Sequence, residues 1–185
     1  MRLQGVVLDL SDPFAVLGIE PRFDLDSATL DARHRALSAT LHPDKFASAT
    51  ASERRLALGK AIEVNEAYRA LRCPVKRAES LLARGGVRVG DGVEPKPPAS
   101  LLMDIMEVRE ELTTARRAKD VPALERLESA MRSKERDTLA ALEAGFSEAQ
   151  DDTEKLATLL PELGKLRFYR RFFEELEATL DELLS

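Results

Sequence analysis

Apolar residues recur at helical spacing along almost the whole chain, and this period constrains the fold more than any other feature. In one helix, for example, the inward stripe consists of Leu30, His34, Leu37 and Leu41. Intervals of four, three and four residues place such side chains on one side of an α-helix. No segment shows the alternation at every second residue that is typical of a half-buried strand. The sequence therefore predicts an all-α protein.

Composition and charge exclude several classes of protein. The chain has 185 residues, of which 44% are hydrophobic, so it can form a buried core, and its net charge is −5. An acidic balance argues against binding nucleic acid over the whole surface. The N-terminus lacks the apolar region of a signal peptide, and no apolar run could span a membrane. Cys73 is the only cysteine, so a disulfide or a cysteine zinc site is not expected. We expect a cytoplasmic protein without metal or cofactor.

A helical hairpin is predicted in the first half of the chain. A helix over 24–41 is predicted to end at Leu41, because Pro43 disfavours helical dihedral angles at the residue before it, His42. A helix over 53–72 returns antiparallel to it. The connecting loop thus begins with the tripeptide His-Pro-Asp. Two short helices flank the hairpin and start at Pro13 and Pro74.

Glycine and proline concentrate in residues 85–98, which hold four of the nine glycines and three of the nine prolines. This composition is typical of a linker, so we expect it to separate a domain over 12–84 from a domain over 99–185. The second domain contains three helical stretches, over roughly 99–119, 121–147 and within 151–184. The last helix begins or kinks at Pro161. Their lengths and short connections predict an antiparallel three-helix bundle.

The first helix after the linker carries apolar residues on two sides. Its inward stripe has spacings of four and three residues and consists of Leu101, Ile105, Val108, Leu112 and Ala115. At about 100° per residue, Leu102, Met103 and Met106 lie outside that stripe. Glu107 and Glu110 border them. A three-helix bundle has no second core to bury these apolar side chains.

The last helix repeats this anomaly. Its predicted inward stripe consists of Leu163, Leu166, Tyr169, Phe173, Leu176 and Leu180. Phe168 falls on the other side, and Phe172 lies near the edge of the stripe. Apolar side chains outside the core are typical of a partner-binding face, but they would also fit packing between two domains. Periodicity alone leaves both interpretations open.

Several segments together resemble a known family. The run DPFAVLGI, the loop HPDKFA between two amphipathic helices, and VNEAYRALRCPVKRAESLL resemble a J-domain. LLMDIMEVREEL and KLRFYRRFFEEL are similar to the second domain of the HscB-type J-domain co-chaperones of iron–sulfur cluster assembly. The resemblance covers roughly residues 12–185. It implies an N-terminal J-domain hairpin followed by a C-terminal antiparallel three-helix bundle.

The resemblance also implies two protein partners. A J-domain docks on an ATPase chaperone of the HscA or DnaK class and stimulates its ATP hydrolysis. The matching residues here are His42, Pro43 and Asp44, with basic Arg33, Arg35 and Lys45. The C-terminal bundle would bind the iron–sulfur scaffold protein, IscU, through residues matching Leu102, Met103, Met106, Glu107, Glu110 and Phe168. These are the residues that periodicity leaves facing outward, and this agreement favours a partner surface.

Two alternative functions follow from the same residues. A J-domain adaptor could deliver a different client protein to a DnaK-type chaperone, and a helical enzyme could use Cys73 and His34. We expect no enzyme, because no nucleophile, third ligand or phosphate-binding loop accompanies His42 and Asp44. The basic, aromatic segment KLRFYRRFF is followed at once by acidic residues, so nucleic-acid binding is not expected either.

Overall fold

The structure is a computed structural model that describes residues 12–90 and 99–184. Within these ranges the chain forms eight α-helices and one short 3-10 turn, and it contains no strand. The all-α fold predicted from the helical period is confirmed. The chain divides into two compact units, Met1–Leu81 and Leu82–Ser185.

The N-terminal unit contains a hairpin of two long helices. Its elements are α1 (Pro13–Leu17), α2 (Ser27–Thr40), the 3-10 turn (Pro43–Phe46), α3 (Ala51–Arg72) and the start of α4 (Pro74–Arg84). Side chains cap the helices: the Asp12 carboxylate accepts a hydrogen bond from the Phe14 amide at 3.1 Å. Thr50 and Glu53 form a reciprocal capping box at the start of α3. These caps fix where each helix begins, and therefore the length of the loop between α2 and α3.

Apolar and polar contacts hold α2 against α3. The buried core of this unit consists of Phe14, Leu17, Leu30, Val64, Ala67 and Leu71. Beside it, the His34 ring stacks on the Tyr68 ring with centroids 4.1 Å apart. His34 Nε2 also lies 2.9 Å from Asn65 Oδ1, and the Tyr68 hydroxyl donates to Asp31 at 2.7 Å. Directional contacts of this kind fix the register of the two helices, so the loop that joins them is held at a defined position.

The C-terminal unit is a three-helix bundle. After the end of α4 it contains α5 (Ala99–Ala118), α6 (Val121–Ala149), the short α7 (Thr153–Ala157) and α8 (Leu160–Leu184). Helices α5, α6 and α8 pack against one another in pairs. Pro161 lies in the first turn of α8, where a missing N–H leaves no hydrogen bond unmade. The last predicted stretch is therefore two helices, and Pro161 starts the second of them without kinking it.

The bundle core contains most, but not all, of the predicted stripes of α5 and α8: on α5, Ile105 is only partly buried. The buried members of the core are Val108, Leu112, Ala115, Leu124, Leu127, Met131, Tyr169, Phe172 and Leu176. Phe173 and Leu180, predicted on the inward stripe, are only partly buried against this core, whereas Phe172, predicted near the edge of the stripe, is a core residue. The guanidinium carbon of Arg132 lies 3.5 Å from the centroid of the Phe173 ring, which holds that ring at the edge of the core.

The first residues of the predicted linker pack within the C-terminal unit. The Thr153 hydroxyl donates to the Gly85 carbonyl at 2.7 Å, and Val87 is buried. A Cβ atom at Gly85 would lie 2.1 Å from Leu156 Cδ1, so a larger residue there would have to displace the Leu156 side chain. Residues 91–98, the rest of the predicted linker, lie outside the described residues. The domain limits 12–84, 85–98 and 99–185 therefore stay a prediction.

Candidate functional site

Residues 42–45 form a loop that contains the start of the 3-10 turn, and the side chain of His42 closes this loop. Helix α2 ends at Thr40, and His42 has the extended backbone of an N-cap residue. The Nδ1 atom of His42 accepts a hydrogen bond from the Asp44 amide at 3.4 Å, and the Lys45 amide donates to the His42 carbonyl at 3.0 Å. Pro43 occupies the first position of the turn, where its fixed φ angle is already suitable. The turn is thus closed by contacts within the loop itself.

All four residues of this loop are exposed. The side chain of Asp44 is 90% exposed, and its Oδ2 atom lies 3.4 Å from His42 Nδ1. A rigid loop that presents one ring and one carboxylate loses little conformational entropy when a partner binds. The carboxylate can accept two parallel hydrogen bonds from an arginine of that partner. We call residues 42–45 the tip loop.

The basic residues predicted to act with the tip loop differ in their surroundings. The Nε atom of Arg33 donates to the carbonyl of Leu17 at 2.6 Å, which ties α2 to the end of α1. Arg33 also lies against Gly18, which has a left-handed backbone with φ of 60°. Arg35 and Lys45 are exposed, and Arg35 lies about two helical turns before His42. All three cations are exposed, and Arg33 in addition makes a structural contact with the end of α1.

Helix α5 carries an exposed apolar patch, as the sequence predicts. Leu102, Met103 and Met106 are 47%, 70% and 71% exposed, respectively. Glu107 and Glu110 are exposed on the same helix. We call these five residues the α5 patch. An apolar centre with charged residues around it is the usual composition of a protein-binding surface, and methionine adapts its shape to a partner.

Phe168 was predicted to be exposed, but the structure shows it partly buried. Phe168 is partly buried and packs against the bundle core, with its ring centroid 5.6 Å from that of Tyr169 and 6.2 Å from that of Phe172. The prediction placed a single narrow stripe on α8. This helix packs against both α5 and α6, so it buries a wider arc of its surface. The structure thus assigns Phe168 a packing role, and its role in scaffold binding stays a prediction.

A groove between α5 and α6 was missed by the sequence reasoning. It has a volume of about 490 Å³ and shares Glu110 with the α5 patch. Its walls include Thr114, Ala118, Asp120, Ala123, Arg126 and Ala130. The signal for this groove in the sequence was the alanines on α5 and α6, because small side chains leave space between neighbouring helices. The groove therefore adjoins the α5 patch at Glu110.

The residues of the enzyme alternative lie in structural surroundings. The His34 ring stacks on Tyr68 within the α2–α3 pair. Cys73, at the junction of α3 and α4, is half-buried. Burial lowers the pKa of the nearby Arg77 guanidinium, which donates to the Phe23 carbonyl at 2.7 Å. In residues 12–90 and 99–184, no three His, Cys, Asp or Glu side chains are grouped to hold a metal ion. No helix in that part of the chain is long and apolar enough to cross a membrane.

A helical hairpin with an exposed His-Pro-Asp loop, followed by a helical bundle, defines a protein of the J-domain class. Comparisons with known proteins are more specific. A family described as the HSCB C-terminal oligomerisation domain matches residues 97–177. A co-chaperone protein HscB homolog of Pseudoalteromonas atlantica is 35% identical over 92% of this chain and 97% of its own length. The chain belongs to the HscB family of co-chaperones.

Other relatives agree with this assignment. A co-chaperone protein HscB homolog of Neisseria meningitidis serogroup A is 40% identical over 65% of this chain and 72% of its own length. The structure of chaperone HscB from Vibrio cholerae is 30% identical, with a TM-score of 0.79 over 92% of this chain and 98% of that chain. Human co-chaperone HscB shares the fold, with a TM-score of 0.80, 23% identity, and coverage of 90% of this chain and 80% of that chain.

Proposed function

We propose that this co-chaperone binds an iron–sulfur scaffold protein of the IscU type, delivers it to an ATPase chaperone of the HscA or DnaK class, and stimulates ATP hydrolysis there. It would do so in the cytoplasm, as a contributor to iron–sulfur protein maturation and not as an enzyme itself. The observation that carries the proposal is the presence of two exposed binding features on one chain: the tip loop on the N-terminal unit and the α5 patch on the C-terminal unit.

The tip loop suits contact with an ATPase. Asp44 offers an almost fully exposed carboxylate on a turn that is already closed by His42 and stiffened by Pro43. Such a carboxylate can form a charge-assisted pair with an arginine of the chaperone. Arg35 and Lys45 add exposed positive charge near the loop, which would complement acidic residues on the same partner.

The α5 patch suits contact with a folded protein. Three apolar side chains lie together on the outer side of α5, while Leu101, Val108 and Leu112 on the inner side form the core. Burying the outer side chains would be the main source of affinity. Glu107 and Glu110 would favour a partner with basic residues around an apolar centre, and they would set its orientation.

Binding and hydrolysis measurements with purified proteins test the proposal. The chain should bind an IscU-type scaffold, and it should accelerate single-turnover ATP hydrolysis by an HscA-type chaperone. Replacing Met103 and Met106 by alanine should weaken scaffold binding and leave scaffold-independent stimulation unchanged. Normal stimulation combined with no binding of the scaffold would point instead to a J-domain adaptor for a different client. Absence of stimulation with both HscA-type and DnaK-type chaperones would contradict the proposal.

A further inference from the structure

We propose that Met103 and Met106 form an oxidation-sensitive pair, and that their conversion to methionine sulfoxide by a hydroperoxide releases the partner of the α5 patch. The chemical part of this inference concerns the reactivity of the two thioethers and stands alone. The consequence for binding rests on the proposed function of the α5 patch.

The methionines of the chain differ sharply in accessibility. The chain has four, of which Met1 lies outside the described residues. Met103 and Met106 are 70% and 71% exposed, whereas Met131 is 3% exposed in the bundle core. Oxidation requires the oxidant to reach the sulfur atom, so exposure governs which thioether reacts. The structure thus provides two accessible thioethers on the binding face and a protected one in the same unit as an internal reference.

The location of the pair gives oxidation a consequence. Met103 and Met106 are three residues apart on one helix, so they lie on the same side of α5. Together with Leu102 they supply all of the apolar side chains of the α5 patch. A sulfoxide group makes the side chain polar, which removes its contribution to apolar burial and adds an acceptor oxygen that the partner must satisfy. Two sulfoxides would therefore convert a mainly apolar centre into a polar one.

The reaction balances without any group from the protein. The thioether sulfur attacks the terminal oxygen of the hydroperoxide, an S–O bond forms as the O–O bond breaks, and the proton of the attacked hydroxyl passes to the departing oxygen. The sulfur loses two electrons, and the hydroperoxide is reduced to an alcohol, or to water when the oxidant is hydrogen peroxide. Methionine sulfoxide reductases, one for each sulfoxide epimer, reverse the change. The modification can therefore act as a reversible control.

Cys73 is the competing oxidation site and must be removed from the experiment. It is half-buried and lies in the other compact unit, so its oxidation would not alter the α5 patch directly. A Cys73→Ser chain provides a background in which peroxide effects on binding arise from methionine. A further Met103→Leu/Met106→Leu chain keeps apolar side chains that peroxide does not oxidise.

Peptide mapping by mass spectrometry after mild hydrogen peroxide treatment tests the reactivity. We expect Met103 and Met106 to gain one oxygen each at least about tenfold faster than Met131, in proportion to the access of peroxide to each sulfur. An excess of purified IscU-type scaffold should slow oxidation of Met103 and Met106 and leave Met131 unchanged. Equal rates at all three sites would overturn the proposal.

Scaffold affinity before and after oxidation tests the consequence. We expect the Kd of the Cys73→Ser chain to rise about tenfold or more when both methionines are oxidised, and to return after reductase treatment. The leucine chain should have the same Kd before and after peroxide. If both methionines are oxidised and the Kd does not change, the proposed release is overturned, while the proposed function of the α5 patch stands. If the untreated chain does not bind the scaffold at all, the proposed function itself fails, and the release step fails with it.

Discussion

The imidazole of His42 accepts a hydrogen bond from the backbone amide of Asp44, with 3.4 Å between Nδ1 and N. This contact closes the turn after α2 through the backbone of Asp44, while the Asp44 side chain stays 90% exposed with its Oδ2 atom 3.4 Å from His42 Nδ1. The carboxylate is therefore accessible to an external partner, and the hydrogen bond that closes the turn does not use it. This separation of loop structure from loop charge makes the role of Asp44 testable by a single substitution.

Replacing Asp44 by asparagine should abolish stimulation of the chaperone ATPase and leave the fold intact. The change removes one negative charge and keeps the shape of the side chain and the backbone amide that His42 accepts from. The free energy of unfolding should change by less than about 0.5 kcal/mol, as is usual for an exposed residue. Circular dichroism and single-turnover ATP hydrolysis measure the two effects.

Asp137 provides a matched control for that variant. It is exposed on α6, far along the chain from the tip loop, so Asp137→Asn removes the same charge elsewhere. Stimulation should be unchanged in the control. Full stimulation by Asp44→Asn would contradict the role assigned to the tip loop.

Two glycine-to-alanine substitutions in the N-terminal unit should change stability in opposite directions. Gly18 has a φ of 60°, and a Cβ atom there would lie 2.7 Å from Arg33 Nη2. Gly18→Ala should destabilise the protein by about 1–2 kcal/mol through backbone strain. Gly59 lies within α3 and a Cβ atom there has open space, so Gly59→Ala should stabilise by about 0.5–1 kcal/mol. Urea denaturation of both variants measures the difference, and equal effects would contradict the left-handed backbone described for Gly18.

Phe168→Ala and Met103→Ala should separate packing from binding. Phe168 is partly buried against the bundle core, so its truncation should cost about 2 kcal/mol, less than the loss for a fully buried ring. Met103 is mostly exposed, so its truncation should cost less than about 0.5 kcal/mol while weakening scaffold binding. Thermal denaturation and titration calorimetry distinguish the two. A stable Phe168→Ala chain would show that this ring contributes little to the core.

The two tyrosines should titrate above the ordinary range. The hydrogen bond that Tyr68 donates to Asp31 raises the pKa of Tyr68, and burial raises the pKa of Tyr169. Unfolded tyrosine ionises at about pH 10, so the contribution of these two groups to the unfolding free energy should be constant below that pH and fall as the pH rises further. Because the chain has two tyrosines and no tryptophan, phenolate absorbance measures these groups without overlap.

Two variants assign the tyrosine titrations. Tyr169→Phe should leave one transition and a shallower loss of stability at alkaline pH. Asp31→Asn should move the Tyr68 pKa down towards its ordinary value, because it removes the carboxylate that accepts a hydrogen bond from the phenol. If neither variant altered the titration, the contacts described for these two residues would be incorrect.

The helices were predictable because their signals are local. Pro13, Pro43 and Pro74 and the cap residues mark element limits through backbone sterics and hydrogen bonds to adjacent amides, which do not depend on the rest of the fold. The α5 patch was predictable for a similar reason, since one regular helix with one buried side leaves Met103 and Met106 outside.

The predictions from sequence were wrong where one helix packs against two neighbouring helices. Phe168 was predicted to be exposed and Phe173 to be inward, whereas Phe168 is partly buried and Phe172 is the core residue. A fixed stripe assumes a single contact direction, but α8 packs against both α5 and α6. The groove beside Glu110 also depends on the spacing of two helices, which no local pattern specifies. The contact of Arg33 with Leu17 joins residues 16 positions apart and was missed for the same reason.

The most direct test of the account is whether the tip loop and the α5 patch must belong to the same chain. Scaffold-dependent stimulation of an HscA-type ATPase should be measured with the native chain, with Asp44→Asn, with Met103→Ala/Met106→Ala, and with an equal mixture of the two variants. The account predicts strong stimulation only in the sample with the native chain, because delivery requires one molecule to hold both partners. Full stimulation by the mixture would contradict it, since the two surfaces would then act independently.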